Sequence, residues 1–349
     1  MLLLKQQEKV EWKNWSGAVK CTANYIKPEK TQEVVDIINH ARKSKKKGRV
    51  IGSGHSFSKL VETKDYIIDM SNFEGAIEID KTNRVAHFYS GTKLSDLNEK
   101  LFESGFALPN MGDVDVQTLA GATATGTHGT GLDFSVISDQ LTEVTFINGL
   151  GELKVVNEND QELLSALKIN LGAFGVIISM KFRIIPAYKL KMIVEKMHID
   201  YLLKNFRRLS LENRNFEFFW FPRTNYTQAK TLNIIDNSSK KIPGKLSSII
   251  NDVILENLFY GLIIKLCTWT KKYANFFSNV VVFFISKSIK IDWSHLIFAT
   301  PRMNKFNEME FSLPIDKLED SLKKIKDVLI KHNLSGIIPV EVRTVRGDN

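Results

Sequence analysis

The chain has 349 residues, 43% apolar and 25% charged, with a formal net charge of +9. That balance belongs to a folded globular protein with room for two domains and excludes a disordered or fibrous chain. Cys21 and Cys267 are too few and too far apart for a disulfide framework or a zinc site, so a reducing compartment is expected. The positive charge suits a pyrophosphate or an anionic membrane surface, and no nucleic-acid recognition motif accompanies it, so nucleic acid is not an expected partner.

In chain order, the apolar run Leu2–Leu4 is shorter than the about 7–15 residues of a signal-peptide core. Secretion is therefore not expected, and the location is read as cytoplasmic or peripheral at a membrane. Pro28 and Thr31 open a helix with Val34, Val35, Ile37, Ile38 and Ala41 on one side, ending in a lysine cluster that complements the helix dipole. The strand Arg49–Ile51 follows and runs into Val50-Ile51-Gly52-Ser53-Gly54-His55-Ser56. There Gly52 and Gly54 allow positive φ and close backbone approach, and successive N–H groups with the Ser53 and Ser56 hydroxyls can converge on an anion. A Walker loop would need a Lys-Ser/Thr pair, and Gly-x-Gly-x-x-Gly a third glycine where Phe57 stands. Taken alone, the segment reads either as a phosphate cradle beside a histidine or as a glycine turn with a surface histidine.

Tyr66–Met70 and Arg84–Tyr89 read as strands, and Ser95 is expected to cap a helix carrying Leu97, Leu101 and Phe102. A second glycine-rich stretch runs from Asn110 to Gly131, including Thr118, Gly121, Thr123, Gly126, His128, Gly129 and Thr130. Gln140–Asn148 and Gly151–Val156 form a predicted hairpin, and Gly175–Pro186 a long β-branched strand containing Ile177. Beyond residue 185 the pattern mixes strands (Phe216–Phe221, Asn307–Leu313, Ile337–Val345) with helices (246–290 and Ile315–His332). Region 246–298 is apolar but broken by charges below the about 18 residues of a membrane span. It reads as helices packed on the second domain or as an interfacial membrane surface. Glu341 and Arg343 are two apart in an apolar strand and leave the same face, as a structural ion pair or as a site. Glu308 and Glu310 share a face in the same way and stay open between surface and pocket.

The two glycine loops, Leu171-Gly172-Ala173-Phe174-Gly175-Val176-Ile177, Phe298-Ala299-Thr300-Pro301-Arg302, Phe306-Asn307-Glu308-Met309-Glu310-Phe311 and Pro339-Val340-Glu341-Val342-Arg343 occur in one order. Together with Trp12-Lys13-Asn14-Trp15-Ser16-Gly17, they make the sequence resemble the aldonolactone oxidase and alditol oxidase group, within the FAD-linked oxidases of the vanillyl-alcohol oxidase type. The resemblance implies an α+β protein: a two-domain FAD-binding fold of that (PCMH) type, with residues 1–185 binding FAD and 186–349 forming an α+β substrate domain. It implies that residues 50–56 wrap the FAD pyrophosphate and that His55 carries the flavin covalently through the 8α-methyl carbon. Backbone amides of Gly121, Gly126, Gly129 and Gly131, with the hydroxyls of Thr118, Thr123 and Thr130, become candidates for cofactor contact. His128 either touches the flavin or bonds backbone within its own loop, and Ile177 either packs on the cofactor or fills a buried strand. Glu341 and Arg343 match the substrate-binding Glu-x-Arg. Arg343 would stabilise the substrate oxygen as hydride leaves for the flavin, and Glu341 would bind neighbouring hydroxyls.

The expected reaction is oxidation of a CH–OH group in a sugar-acid lactone or alditol, with oxygen as acceptor. A dehydrogenase serving a cytochrome or quinone and a non-catalytic FAD-binding remnant are the rival readings. Family members continue past Glu-x-Arg through an active-site lysine, whereas this sequence stops at Asn349. A C-terminally truncated substrate domain that binds FAD but turns over poorly is the corresponding expectation, with no base in a recognisable motif.

Overall fold

The computed structural model describes residues 8–222, 224–240, 274–300, 304–334 and 339–347. Residues 241–273, Cys267 and the Pro301-Arg302 pair lie outside the described residues, and with them most of the apolar region singled out above. Among the described residues, no helix is long and apolar enough to cross a membrane.

The first sheet has the order β1-β2-β4-β3, formed by β1 (Glu8–Lys13), β2 (Lys20–Ile26), β3 (Gly48–Ile51) and β4 (Tyr66–Asp69). β2 and β3 each run parallel to β4 and hence to each other, as the strand-helix-strand connection from β2 to β3 requires. The helix Thr31–Lys43 between β2 and β3 buries Val34, Ile37 and Ala41 against Ile26, Tyr66 and Ile68. The same core contains Ile147, Val176 and Ile178 of a second sheet. That sheet has five antiparallel strands in the order β5-β6-β10-β8-β9: β5 (Ala76–Asp80), β6 (Val85–Tyr89), β8 (Leu141–Asn148), β9 (Leu153–Asn157) and β10 (Gly175–Arg183). A two-stranded ribbon, β7 (Phe106–Ala107) with β11 (Ile185–Pro186), takes the proline at its edge.

The helix Leu94–Glu103 buries Leu94, Leu97 and Leu101. It differs from expectation at its start, where Lys93 stands at the cap and Ser95 lies inside the first turn. The physical reason is that the orphan N–H groups already have acceptors: Leu94 donates to Gln117 O at 2.9 Å and Ser95 to Asp115 O at 2.8 Å. The helix is thus capped by the second glycine stretch itself, which orients that stretch.

The third sheet draws all its strands from beyond residue 188: β12 (Lys189–His198), β13 (Asn215–Trp220), β14 (Tyr226–Ile235), β15 (Ser288–Trp293) and β16 (Val340–Arg343), in the order β15-β12-β14-β13-β16. Its two faces are chemically opposite. On one, Phe216, Phe218 and Trp220 pack with Val340 and Val342 under the helices Ile199–Glu212 and Leu318–Lys331. On the other, register places Lys230 and Arg343 on either side of Glu217, with Glu341 beside Phe219. The predicted strand Asn307–Leu313 is not a strand: the segment is irregular, with Met309 and Phe311 81% and 75% exposed. Its alternation has the right period, but among the described residues it pairs with no neighbouring strand, and a strand exists only through its ladder.

Candidate active site

Two hollows share one loop. The larger is an open cleft enclosing about 1120 Å³ of space between atoms, its mouth included. It is lined by Val50, Ile51, Gly52, Ser53, Gly54, His55 and Ser56 from the first glycine loop, Thr118 and Gly121 from the second, and Ile177 from β10. The two loops meet there. A Cβ added to Gly52 would lie 2.2 Å from Thr118 Oγ1, and Ser53 Oγ donates to the Val116 carbonyl. Gly54 has φ +69, a left-handed conformation that turns the chain back under His55. His55 is half-buried, and burial pulls its imidazole below the ordinary histidine range, so the ring is neutral at pH 7.

The cleft also exposes residues that the sequence reading missed. Ser90 and Gln117 are among its lining residues, and Ser90 Oγ and Gln117 Oε1 are buried with no hydrogen-bond partner among the described residues. Buried polar atoms are normally satisfied, so two orphans in one cleft mark a polar ligand. Asn170, Leu171 and Gly172 complete the wall. Only the last segment carried a visible signal, its glycine between apolar residues. Ser90 and Gln117 are common surface residues whose role appears once the chain is folded.

The second glycine stretch divides its residues between the hollows. Thr123 does not reach the cleft: it is 1% exposed and its hydroxyl donates to Leu119 O and Ala120 O, holding the short helix Leu119–Ala124. Gly126, with φ +68, is a turn position packed near Ile169 and lies outside the cleft lining. His128 also lies away from the cleft; its Nδ1 contacts the Gly129 carbonyl at 2.8 Å and its Nε2 contacts Glu310 at 3.1 Å. Gly129 approaches Met111 so closely that a Cβ would sit 2.0 Å from its carbonyl oxygen. Thr130 donates to Phe216 O at 2.6 Å and accepts from Thr344 N–H at 3.2 Å, and Gly131 N–H donates to Thr344 O at 2.7 Å. This half of the stretch is therefore sewn to the third sheet.

Arg214 reinforces the seam. It is largely buried over the Phe134 ring at 4.3 Å, and its guanidinium donates to Tyr188 Oη at 3.1 Å and to the Pro109 carbonyl.

The second hollow is small, about 270 Å³ of space between atoms with its open mouth included, and lies between this seam and the charged face of the third sheet. Gly129, Thr130, Met111 and Phe298 wall it, and Glu217, Lys230, Glu341 and Arg343 line it. Arg343 Nε is 3.5 Å from Glu341, one terminal nitrogen is 2.8 Å from Glu310, and the other donates to the His128 carbonyl at 3.3 Å. Burial works against the Arg343 charge, yet the carboxylates of Glu341, Glu310 and Glu217 outweigh it and hold the group protonated. The hydrogen bond with His128, joined by the Arg343 charge, holds the Glu310 carboxyl down at about 2. Of the two glutamates left open above, Glu310 is thus tied to the hollow's rim. Lys230 and Glu217 form a second ion pair at 2.8 Å, with side chains only 14% and 9% exposed. A legible signal for Glu217 was its place as the lone charge in Phe216-Glu217-Phe218-Phe219-Trp220.

A glycine-walled cleft with unpartnered polar atoms, joined by one loop to a charged hollow, is the arrangement of a ligand-binding enzyme whose ligand approaches the backbone closely at Gly52 and Gly54. Comparison with known proteins makes this specific. Residues 22–157 match the family described as FAD binding domain, and residues 180–349 match D-arabinono-1,4-lactone oxidase. L-gulono-1,4-lactone dehydrogenase of Mycobacterium tuberculosis is 29% identical over 336 residues, covering 95% of this chain and 77% of that protein. L-gulonolactone oxidase of Scyliorhinus torazame is 27% identical over 348 residues, covering 97% and 77%. Cholesterol oxidase from B. sterolicum has the same fold, with a TM-score of 0.75 at 16% identity over 97% of this chain and 72% of that one. Physcomitrella patens BBE-like 1 aligns with a TM-score of 0.56 at 17% identity over 68% and 53%. In chain order the two matches resemble a FAD binding domain followed by D-arabinono-1,4-lactone oxidase, and the chain is a FAD-dependent oxidoreductase of the two-domain FAD-binding fold.

Gly52→Val tests the cleft directly. Its side chain would occupy the contact with Thr118, and the variant is expected to purify without FAD while the wild type retains it, read from the flavin absorbance per chain. Equal flavin content would remove the first glycine loop from the cofactor site.

Proposed function

We propose that this enzyme oxidises a CH–OH group of a sugar-acid lactone to the carbonyl, with molecular oxygen taking the electrons. The observation that carries the reading is the shared loop: Thr118 and Gly121 line the cleft while Gly129 and Thr130 line the hollow that contains Glu341 and Arg343. In this reading residues 1–185 hold FAD and residues 186–349 roof it. FAD supplies the two-electron acceptor. The protein's residues do the rest. Arg343 stabilises the substrate oxygen as it gains negative charge, and Glu341 accepts hydrogen bonds from neighbouring hydroxyls and orients the guanidinium. Glu217, which pairs with Lys230 at 2.8 Å, takes the hydroxyl proton, a role that arginine cannot fill. The lactone relatives favour this over alditols, and a catalytic hollow with four charged side chains favours it over a non-catalytic remnant.

Anaerobic addition of aldonolactones and alditols to the purified protein, followed by air, tests the reading. Bleaching of the flavin by lactones and its return with hydrogen peroxide formed in air are expected. Failure of every lactone to bleach the flavin would sink the proposal, and reoxidation by quinone or cytochrome but not by oxygen would replace the acceptor.

His55 is proposed as the covalent attachment site. Acid-precipitated wild-type polypeptide is expected to keep its yellow fluorescence and His55→Ala to release it. Free flavin in the wild-type supernatant, with none on the chain, would remove the linkage.

A further inference from the structure

We infer that the turn Asn14–Gly17 is a positioning clamp for His55, in which Trp15 fixes the imidazole ring for attachment to the flavin; this rests on the covalent-linkage reading above. The turn grips the backbone on both sides of the histidine. Trp15 N–H donates to Gly54 O at 2.7 Å, and Asn14 Nδ2 donates to Ser56 O at 3.1 Å. Between those two holds, the Trp15 indole and the His55 imidazole stack with centroids 5.1 Å apart and planes inclined by 22°.

The clamp is itself rigid. Asn14 is 4% exposed, its Oδ1 accepts from Val19 N–H at 3.0 Å, and Gly17 N–H closes the turn onto Asn14 O at 3.0 Å. Behind it, Trp12 leaves no slack: a Cβ on Gly54 would lie 3.1 Å from the Trp12 ring. Phe306 packs edge-on against Trp15 at 5.4 Å.

What makes the stack more than packing is the absence of another device. A functional histidine is usually oriented by a hydrogen bond to its second ring nitrogen. Among the described residues, no group hydrogen-bonds either ring nitrogen of His55, so the flat face of Trp15 sets the ring plane and leaves the nitrogens for the cofactor. Burial beside the indole also keeps the ring neutral and therefore nucleophilic.

In attachment a C–N bond forms between an imidazole nitrogen and the 8α carbon. One methyl C–H and the imidazole N–H release protons. The two electrons left behind reduce the flavin ring, and dioxygen takes them to give hydrogen peroxide. Holding the nitrogen in line with that carbon is the service the clamp performs.

The test compares wild type, Trp15→Ala, Trp15→Leu and Trp15→Phe, each reconstituted from apoprotein with FAD in air. Two quantities are read: total bound FAD in the native protein, and the fraction still fluorescent on the chain after denaturation, followed in time. The expected result is unchanged FAD stoichiometry in all, covalent incorporation slowed at least roughly tenfold in Trp15→Ala and Trp15→Leu, and recovery in Trp15→Phe, whose ring can still stack. Leucine keeps apolar bulk without a flat face and carries the comparison if the alanine variant does not fold. Incorporation at the wild-type rate in Trp15→Leu overturns the clamp alone. Wild-type protein with no covalent flavin overturns the linkage reading and the clamp with it.

Discussion

Arg343→Ala is expected to slow flavin reduction by substrate by roughly 10²–10³-fold while FAD stays bound, because it removes the cation facing a developing oxyanion. The residue is well suited to that duty. Its fork is held from three sides, by Glu341, by Glu310 and by the His128 carbonyl, so the charge is aimed before substrate arrives. Its removal does not reach the cleft proposed for FAD, whose lining lacks every residue of β16. Arg343→Lys separates charge from geometry. Lysine keeps the cation but loses the planar fork, and an intermediate rate is expected. Glu341→Ala is expected to act in the same direction, since the guanidinium loses a partner. Anaerobic stopped-flow reduction measures all three. Wild-type rates in both alanine variants would return the Glu341–Arg343 pair to a structural salt bridge.

How far the sequence disclosed this site depends on whether the relevant physics is local. The helix Thr31–Lys43 and the hairpin of β8 and β9 are local patterns, and both lie where periodicity and turn residues put them. The first glycine loop was legible because close backbone approach demands glycine, and Gly52 against Thr118 shows that demand. The cap at Ser95 was misread because the acceptors for the helix's first N–H groups come from residues 115 and 117, twenty positions away. The strand at Asn307–Leu313 was misread because alternation gives a period but not a partner. Within the second glycine stretch, Thr118, Thr123 and Thr130 look alike in sequence, yet one lines the cleft, one bonds its own helix and one joins two strands. Glu217 and Lys230 meet only through the register of β13 on β14.

That buried pair gives the other large expected effect. Glu217→Gln should lower the rate of flavin reduction by roughly 10²–10⁴-fold, the usual worth of a positioned general base, because the amide keeps the shape but cannot take a proton at neutral pH. A competing explanation must be separated from it. The same substitution leaves Lys230 buried without its counter-ion, and an unpaired buried charge costs about 3–5 kcal/mol, enough to distort the hollow and slow the reaction for structural reasons. The double variant Glu217→Gln with Lys230→Met removes both charges and restores neutrality at similar volume. If Glu217 is the base, the double variant is stable, binds FAD and remains slow. If the single variant fails only through the stranded lysine, the double variant regains the wild-type rate. A wild-type rate in the double variant would show that the hydroxyl proton leaves by another group.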